Sequence, residues 1–354
     1  MVEWPLGTLF FAWLGTTLLL LIGQPFAHRV GWVDRPCARK IHTMPTPLIG
    51  GFAMFAGLML ALPQLELLHF PLDGIVVACG MGLLIGYLDD MHDIRASTRF
   101  VLEILLALWV ILHSKVDIHT LGNLFGFGEL TLGRFSVPFT TICFVGLVNA
   151  VNMSDGLDGQ AGGQSLIALL LMLHLAIAGE RWEEATLLLT FVAVVVAFLA
   201  FNGPWFGRKA ALVFMGDAGS MLLGVALLWF SVTLTQWEPS VMAPITALWL
   251  VTVPLIDMYS SIARRLLTGA RPFDPDMGHM HHLLLQRGCS KRQVCGIMMG
   301  LTAFFGVSGI AAWRAGVPDA VMFYLWMAVF VLYSWFSVLY HRRMRKASLV
   351  ASEG

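Results

Sequence analysis

The sequence predicts an all-α, polytopic integral membrane protein: one membrane-embedded domain over residues 1–354, with about eleven transmembrane helices read from apolar runs. Three observations carry this. The chain is 58% hydrophobic and only 12% charged, against about 25% charged in a soluble domain. Its apolar residues gather in long runs separated by short polar segments. Its basic residues fall almost entirely into alternate polar segments.

Taken in order, the first run (6–22) has Glu3 as the only charge ahead of it, so it reads as a retained helix and not a cleaved signal. Next come 48–62, 74–88 and 100–112, the last two joined through Asp89-Asp90-Met91-His92-Asp93. Residues 113–136 are rich in Gly and Phe, with Gly126-Phe127-Gly128 as a candidate hairpin turn. Run 137–151 leads into NAVNMSDGLD (149–158), followed by 166–178 and 185–201. Phe214-Met215-Gly216-Asp217 precedes 220–234, and 242–262, 293–313 and 321–340 close the set. Cys37, Cys79, Cys143, Cys289 and Cys295 are scattered and form no disulfide framework.

Orientation follows from Lys and Arg. With the N-terminus outside, only Lys115, Arg134, Arg181 and Arg314 of the 22 basic residues fall in outer segments, a positive-inside bias that puts the C-terminus in the cytoplasm. The same alternation places four polar clusters at the inner face: 89–93, 149–158, 214–217 and His279-Met280-His281-His282. Carboxylates at a membrane edge are costly without a purpose. Lys plus Arg equals Asp plus Glu, 22 each, so net charge says nothing about partners and its asymmetry does; membrane lipids are expected as partners and nucleic acid is not.

Asp89 and Asp90 end a helix whose C-terminal dipole disfavours carboxylates, so something cationic should compensate, either a metal ion or the nearby Arg95 and Arg99. If that helix continues, Asp89 and Asp93 share a face and Asp90 turns away; a solvated loop fits the spacing equally well. Asn149, Asn152, Asp155 and Asp158 recur every three residues, with Gly156 and Gly159 opening the backbone to a ligand. An Asx/Gly turn is the plainer alternative. Asp217 stands where an N-cap Asp is favoured, and only the company of the other carboxylates points beyond a cap, towards Mg²⁺.

The segment 264–292 combines His279, His281 and His282 with Arg264, Arg265, Arg271 and Arg287. It lacks the paired spacing of a zinc site, so phosphate binding fits better; a solvated basic anchor is the alternative. Glu103 and Asp257 lie near inner helix ends. Pairing with Arg99 accounts for Glu103, and Arg264 is a candidate partner for Asp257, whose role stays open.

Taken together, DDMHD, NAVNMSDGLDG, VFMGDAGS, the HMHH loop and VDRPCARKIHTMPTPLIGG, in this order over residues 31–288, resemble the polyprenyl-phosphate N-acetylhexosamine-1-phosphate transferases. The His-x-His-His form and PLIDM look most like the branch that starts O-antigen, common-antigen and teichoic-acid linkage synthesis. The resemblance implies transfer of N-acetylglucosamine 1-phosphate from UDP-N-acetylglucosamine to undecaprenyl phosphate. This would take place in the bacterial cytoplasmic membrane, with Mg²⁺ or a substituting Mn²⁺; a homodimer is compatible with it. By motif, Asp89 and Asp90 match the catalytic pair and Asp217 the metal ligand. Asn152, Asp155 and Asp158 match the nucleotide segment, and Phe214 the ring on uracil. Arg265, His279, His281 and His282 match groups around the sugar and diphosphate. Gln160 departs from the usual Leu after DGxDG. Another UDP-N-acetylhexosamine or UDP-N-acetylmuramoyl-pentapeptide is the alternative donor. A transporter, the competing class, would place charges near the midplane and break helices in two related halves.

Overall fold

The computed structural model describes residues 6–36, 44–65, 72–204, 208, 210–271 and 277–353. Cys37, Arg39, Lys40 and Lys209, used above, lie outside the described residues.

Among the described residues the regular structure is helical, apart from a two-residue strand pair, β1 (Val33–Asp34) and β2 (Thr46–Pro47). In chain order the helices are α1 (Leu6–Val30), α2 (Gly50–Leu65), α3 (Leu72–His92), α4 (Ala96–Ser114), α5 (Ser136–Met153), α6 (Gln160–Ala178) and α7 (Trp182–Asn202). They continue as α8 (Gly216–Gln236), α9 (Pro244–Leu250), α10 (Thr252–Leu267), α11 (Met280–Gln286), α12 (Lys291–Arg314) and α13 (Asp319–Glu353). Among the described residues nine helices are long and apolar enough to cross a membrane. This is a multi-pass membrane protein.

Two expected spans differ from simple rods. Run 242–262 is broken at Val251 into α9 and α10, bent by 80°. Pro254 has no N–H for the carbonyl four residues back, so the helix yields near there. Helix α2 has 16 residues, about 24 Å at 1.5 Å per residue, short of a hydrocarbon layer of roughly 30 Å.

Helix α8 is the centre of the bundle. It is 94% buried over its central window and packs against α2, α3, α5 and α6. An apolar helix surrounded on all sides in this way shows little amphipathic stripe. Small residues permit close approach: a Cβ on Gly86 of α3 would overlap the backbone of Asp217 and Ala218. This contact brings the C-terminal end of α3 onto the N-terminal end of α8. At the opposite end of α8 the expected hairpin is present: Leu121 and Leu130 are backbone-bonded at 2.9 Å, with Thr120 bridged to Thr131.

Candidate functional site

The four clusters assemble at one end of the bundle. Asp90 does not turn away. Its carboxylate oxygens accept the backbone N–H groups of Asp217 at 2.9 Å and Ala218 at 3.2 Å. The first N–H groups of a helix have no intrahelical partner and carry the positive end of its dipole. The carboxylate that the dipole of α3 disfavours is therefore stabilised by the N-terminus of α8. Asp217 is not an N-cap: it lies inside the first turn, and Met215 at the cap position makes no side-chain cap bond. The capping group comes from α3 instead. Helix α3 stops at His92, and Asp93, with φ +47°, is exposed and does not join Asp89 on a shared face.

Asp89 takes the cation that local sequence called for. Arg99 on α4 donates to Asp89 at 2.8 Å and to the Asn149 side-chain oxygen at 2.8 Å. It also lies 3.3 Å from Glu103 and 3.7 Å from Asp217. The Asn149 amide donates to Glu103, which closes a ring of Arg99, Glu103 and Asn149. One guanidinium thus links α3, α4, α5 and α8. Planar, permanently charged and multiply donating, Arg suits such a junction.

Asn152 on α5 donates to Asp217 at 2.8 Å and to Ser220 at 2.9 Å. With one oxygen held by Asn152 and the other near Arg99, the Asp217 side chain still has 36% of its surface exposed. It has a fixed direction and an open side.

Asp155 and Asp158 lie in the turn between α5 and α6. Asp158 accepts the N–H of Ala211 at 3.1 Å, and Asn202 bridges Gly159 to Val213. These bonds tie the turn to the segment carrying Phe214. The Phe214 backbone is pinned to Pro47 at 2.8 Å and to Gly50 at 2.9 Å. Burial, followed by repulsion from Asp217, Asp90 and Asp158, pushes the Asp155 carboxyl up to about 8. Asp155 therefore binds its proton more tightly than an exposed carboxyl does.

The histidines adjoin this assembly at Gly156, where any Cβ would overlap the His281 ring. Asp257 on α10 orders them: it accepts from His279 Nδ1 at 2.9 Å, Met280 N at 2.7 Å and the Tyr333 hydroxyl at 3.1 Å. The carboxylate places the proton of His279 on Nδ1. His281 is 2% exposed, and neither of its ring nitrogens has a hydrogen-bond partner. Burial and the neighbouring His282 hold its pKa down at about 3, so the ring is neutral, with one N–H and one lone pair unengaged. His282, 4.1 Å from His281 between ring centroids, is half-buried, and Arg265 is buried on α10.

Sequence reasoning missed three parts of this arrangement: the cap made by Asp90, the reach of Arg99 to Asn149 and Asp217, and the anchoring of His279 by Asp257. Only the i,i+4 spacing of Arg99 and Glu103 was a local signal; the other partners come from distant helices.

Comparison with known proteins shows the family of the chain. A model of "Glycosyl transferase family 4" matches residues 73–235, which hold Asp89, Asp90, Asn152, Asp155, Asp158, Phe214 and Asp217. The chain is 33% identical to the undecaprenyl-phosphate alpha-N-acetylglucosaminyl 1-phosphate transferase of Escherichia coli strain K12, over 91% of this chain and 88% of that one. The proteins of the same name from Yersinia pestis and Haemophilus influenzae are 32% and 34% identical, each over 96% of this chain and 96% and 97% of their own lengths. With relatives this similar along nearly its whole length, the chain belongs to glycosyl transferase family 4.

Proposed function

We propose that the protein transfers N-acetylglucosamine 1-phosphate from UDP-N-acetylglucosamine to undecaprenyl phosphate, releasing UMP, at the cytoplasmic face of a bacterial inner membrane. One observation carries the reading: carboxylates from α3, the α5–α6 turn and α8 meet one another, Arg99 and a histidine cluster at a single end of apolar helices. A lipid phosphate and a water-soluble nucleotide can meet only at such an end. The names of the relatives supply the substrates.

In the reaction a lipid phosphate oxygen attacks the phosphorus bearing the sugar, and the bond to the UMP oxygen breaks. Such transfers depend on positioning and charge neutralisation. Among the described residues no three His, Cys, Asp or Glu side chains form a ready metal cage. Mg²⁺ typically takes one or two carboxylates together with substrate phosphates, and Asp217, oriented by Asn152 and open on one side, fits that pattern. Bound there, Mg²⁺ would offset the charge of the diphosphate; Mn²⁺ accepts the same oxygen donors.

Asp155, Asp158 and Phe214 receive the nucleotide. His281 offers an N–H and a lone pair to sugar or phosphate oxygens, while His279, His282 and Arg265 flank it. Asp89, held by Arg99, which also reaches Asp217, lies at the same end. Both direct attack and an aspartyl intermediate are compatible with these groups. The transporter alternative has less support, because the carboxylates gather at one end and the described residues hold one bent helix pair.

The test is purified protein with undecaprenyl phosphate, Mg²⁺ and a panel of UDP-sugars. UMP and a lipid diphosphate sugar should form from UDP-N-acetylglucosamine. Product from UDP-N-acetylmuramoyl-pentapeptide alone would change the donor, and no UMP from any donor would defeat the transferase reading. Accessibility labelling of a cysteine added after Gly354 should report the cytoplasmic side.

A further inference from the structure

We infer that Asp90 is a positioning residue for this reaction and not its proton acceptor: it sets Asp217 by capping α8. The inference rests on the transferase reading above.

The geometry separates two adjacent carboxylates that look equivalent in sequence. Both oxygens of Asp90 are engaged by backbone N–H groups, one of them from Asp217 itself. Such a carboxylate has its best lone pairs aimed at fixed donors, in the direction of the α8 dipole. Abstracting a proton would weaken the bonds that hold the end of α8. Gly86 lets the two helices approach until backbone meets backbone, so the cap is made at close range with little room to swing. Asp217 is then held from three sides: by its N–H on Asp90, by Asn152 on one carboxylate oxygen and by Arg99 near the other. Asp89 has a different setting. Its cation is a side chain on α4, and no backbone group of α8 depends on it among the bonds described. Asp90 bonds directly to the first turn of α8, whereas Asp89 reaches it only through Arg99.

The two roles give different results for a conservative and a disruptive substitution. Asn caps helices about as well as Asp and retains an acceptor oxygen, whereas Ala retains none. If Asp90 positions, Asp90→Asn should stay within about tenfold of the parent in single-turnover UMP release, with Asp90→Ala lower by roughly a further tenfold or more. Both should keep the inflections of the parent pH–rate profile. If Asp90 accepts a proton, Asn and Ala should fall alike, on the order of 10²–10⁴-fold, and one inflection should vanish; that result would overturn the inference. Hydrogen exchange over residues 216–222, without substrate, reads the cap independently of activity. Protection should be lost in Asp90→Ala and kept in Asp90→Asn, and unchanged protection in Asp90→Ala would also overturn it. If the parent releases no UMP from any donor, the transferase reading fails, and the exchange measurement still decides the cap.

Discussion

The two ends of α8 handle buried polar groups in opposite ways. At its C-terminal end, the Gln236 side chain accepts the N–H groups of His119 and Thr120 at 3.1 Å each, and donates to the Thr120 carbonyl at 3.1 Å. Its oxygen and nitrogen both have partners, and the hairpin is fastened to the bundle. At the N-terminal end the pairing is incomplete. Asp217 keeps an open side, Asp155 is half-buried beside other carboxylates, and both ring nitrogens of His281 lack partners. Native interiors rarely leave such groups unmatched. The Gln236 end is a joint, with the Thr233 hydroxyl its one unmatched group among the described side chains of the last turn, and the N-terminal end is where the proposed ligand would bind.

The largest expected effect that sharpens this contrast is at Asp217. Asp217→Asn keeps the shape and the bond from Asp90 to its N–H, so thermal unfolding in detergent should change little. UMP release should fall on the order of 10²–10³-fold, with a weaker response to Mg²⁺. Normal turnover and magnesium dependence would make Asp217 a structural residue and remove the contrast.

Next in size is Arg99→Met, which leaves Asp89 and the buried Glu103 without their cation. Removing one partner of a buried ion pair destabilises by about 3 kcal/mol or more. Denaturant unfolding should show this, and adding Glu103→Gln should recover part of the loss. No recovery would mean that the ring around Arg99 is not a coupled unit. At the Gln236 end, Gln236→Ala strips partners from two backbone N–H groups and should cost about 1–3 kcal/mol while kcat stays at the parent value. A selective loss of activity would break the division between joint and site.

A further effect is a pH dependence. The Asp155 carboxyl sits at about 8 in the folded protein, above roughly 3.9 for an exposed Asp. The folded state therefore binds the proton more tightly, and stability declines as pH rises from about 4 to about 8. Asp155→Asn removes this penalty. In the absence of ligands its melting-temperature advantage over the parent should grow across that window and level off above it. An advantage independent of pH would contradict the crowded-carboxylate environment.

Much of this was legible in the chain. Apolar length revealed the helices, and the clusters announced themselves as charges at the ends of apolar runs. The tie between Arg99 and Glu103 followed from helical spacing, and the small hairpin from its glycines. What could not be read was partnership across helices. Asp217 in GDAGS carries the local signature of a cap, but the cap came from Asp90, more than a hundred residues earlier in the chain. In a helix apolar on every face, such as α8, no stripe tells which neighbour each side meets, so the approach at Gly86 and its consequence for Asp90 had no sequence signal. The break at Val251 was masked because the apolar run continues across it, with Pro254 close by as its only local mark. Asp257 had Arg264 as its candidate partner from proximity in sequence; the fold supplied His279, Met280 and Tyr333.

The central claim is that the incomplete end of α8 is completed by a nucleotide and its metal. Hydrogen exchange of the detergent-solubilised protein with and without UDP and Mg²⁺ tests this most directly. The account predicts added protection in residues 154–160, 210–218 and 278–282, with none in the hairpin at 115–132. Protection confined to the hairpin end, or no change anywhere at saturating UDP, would contradict it.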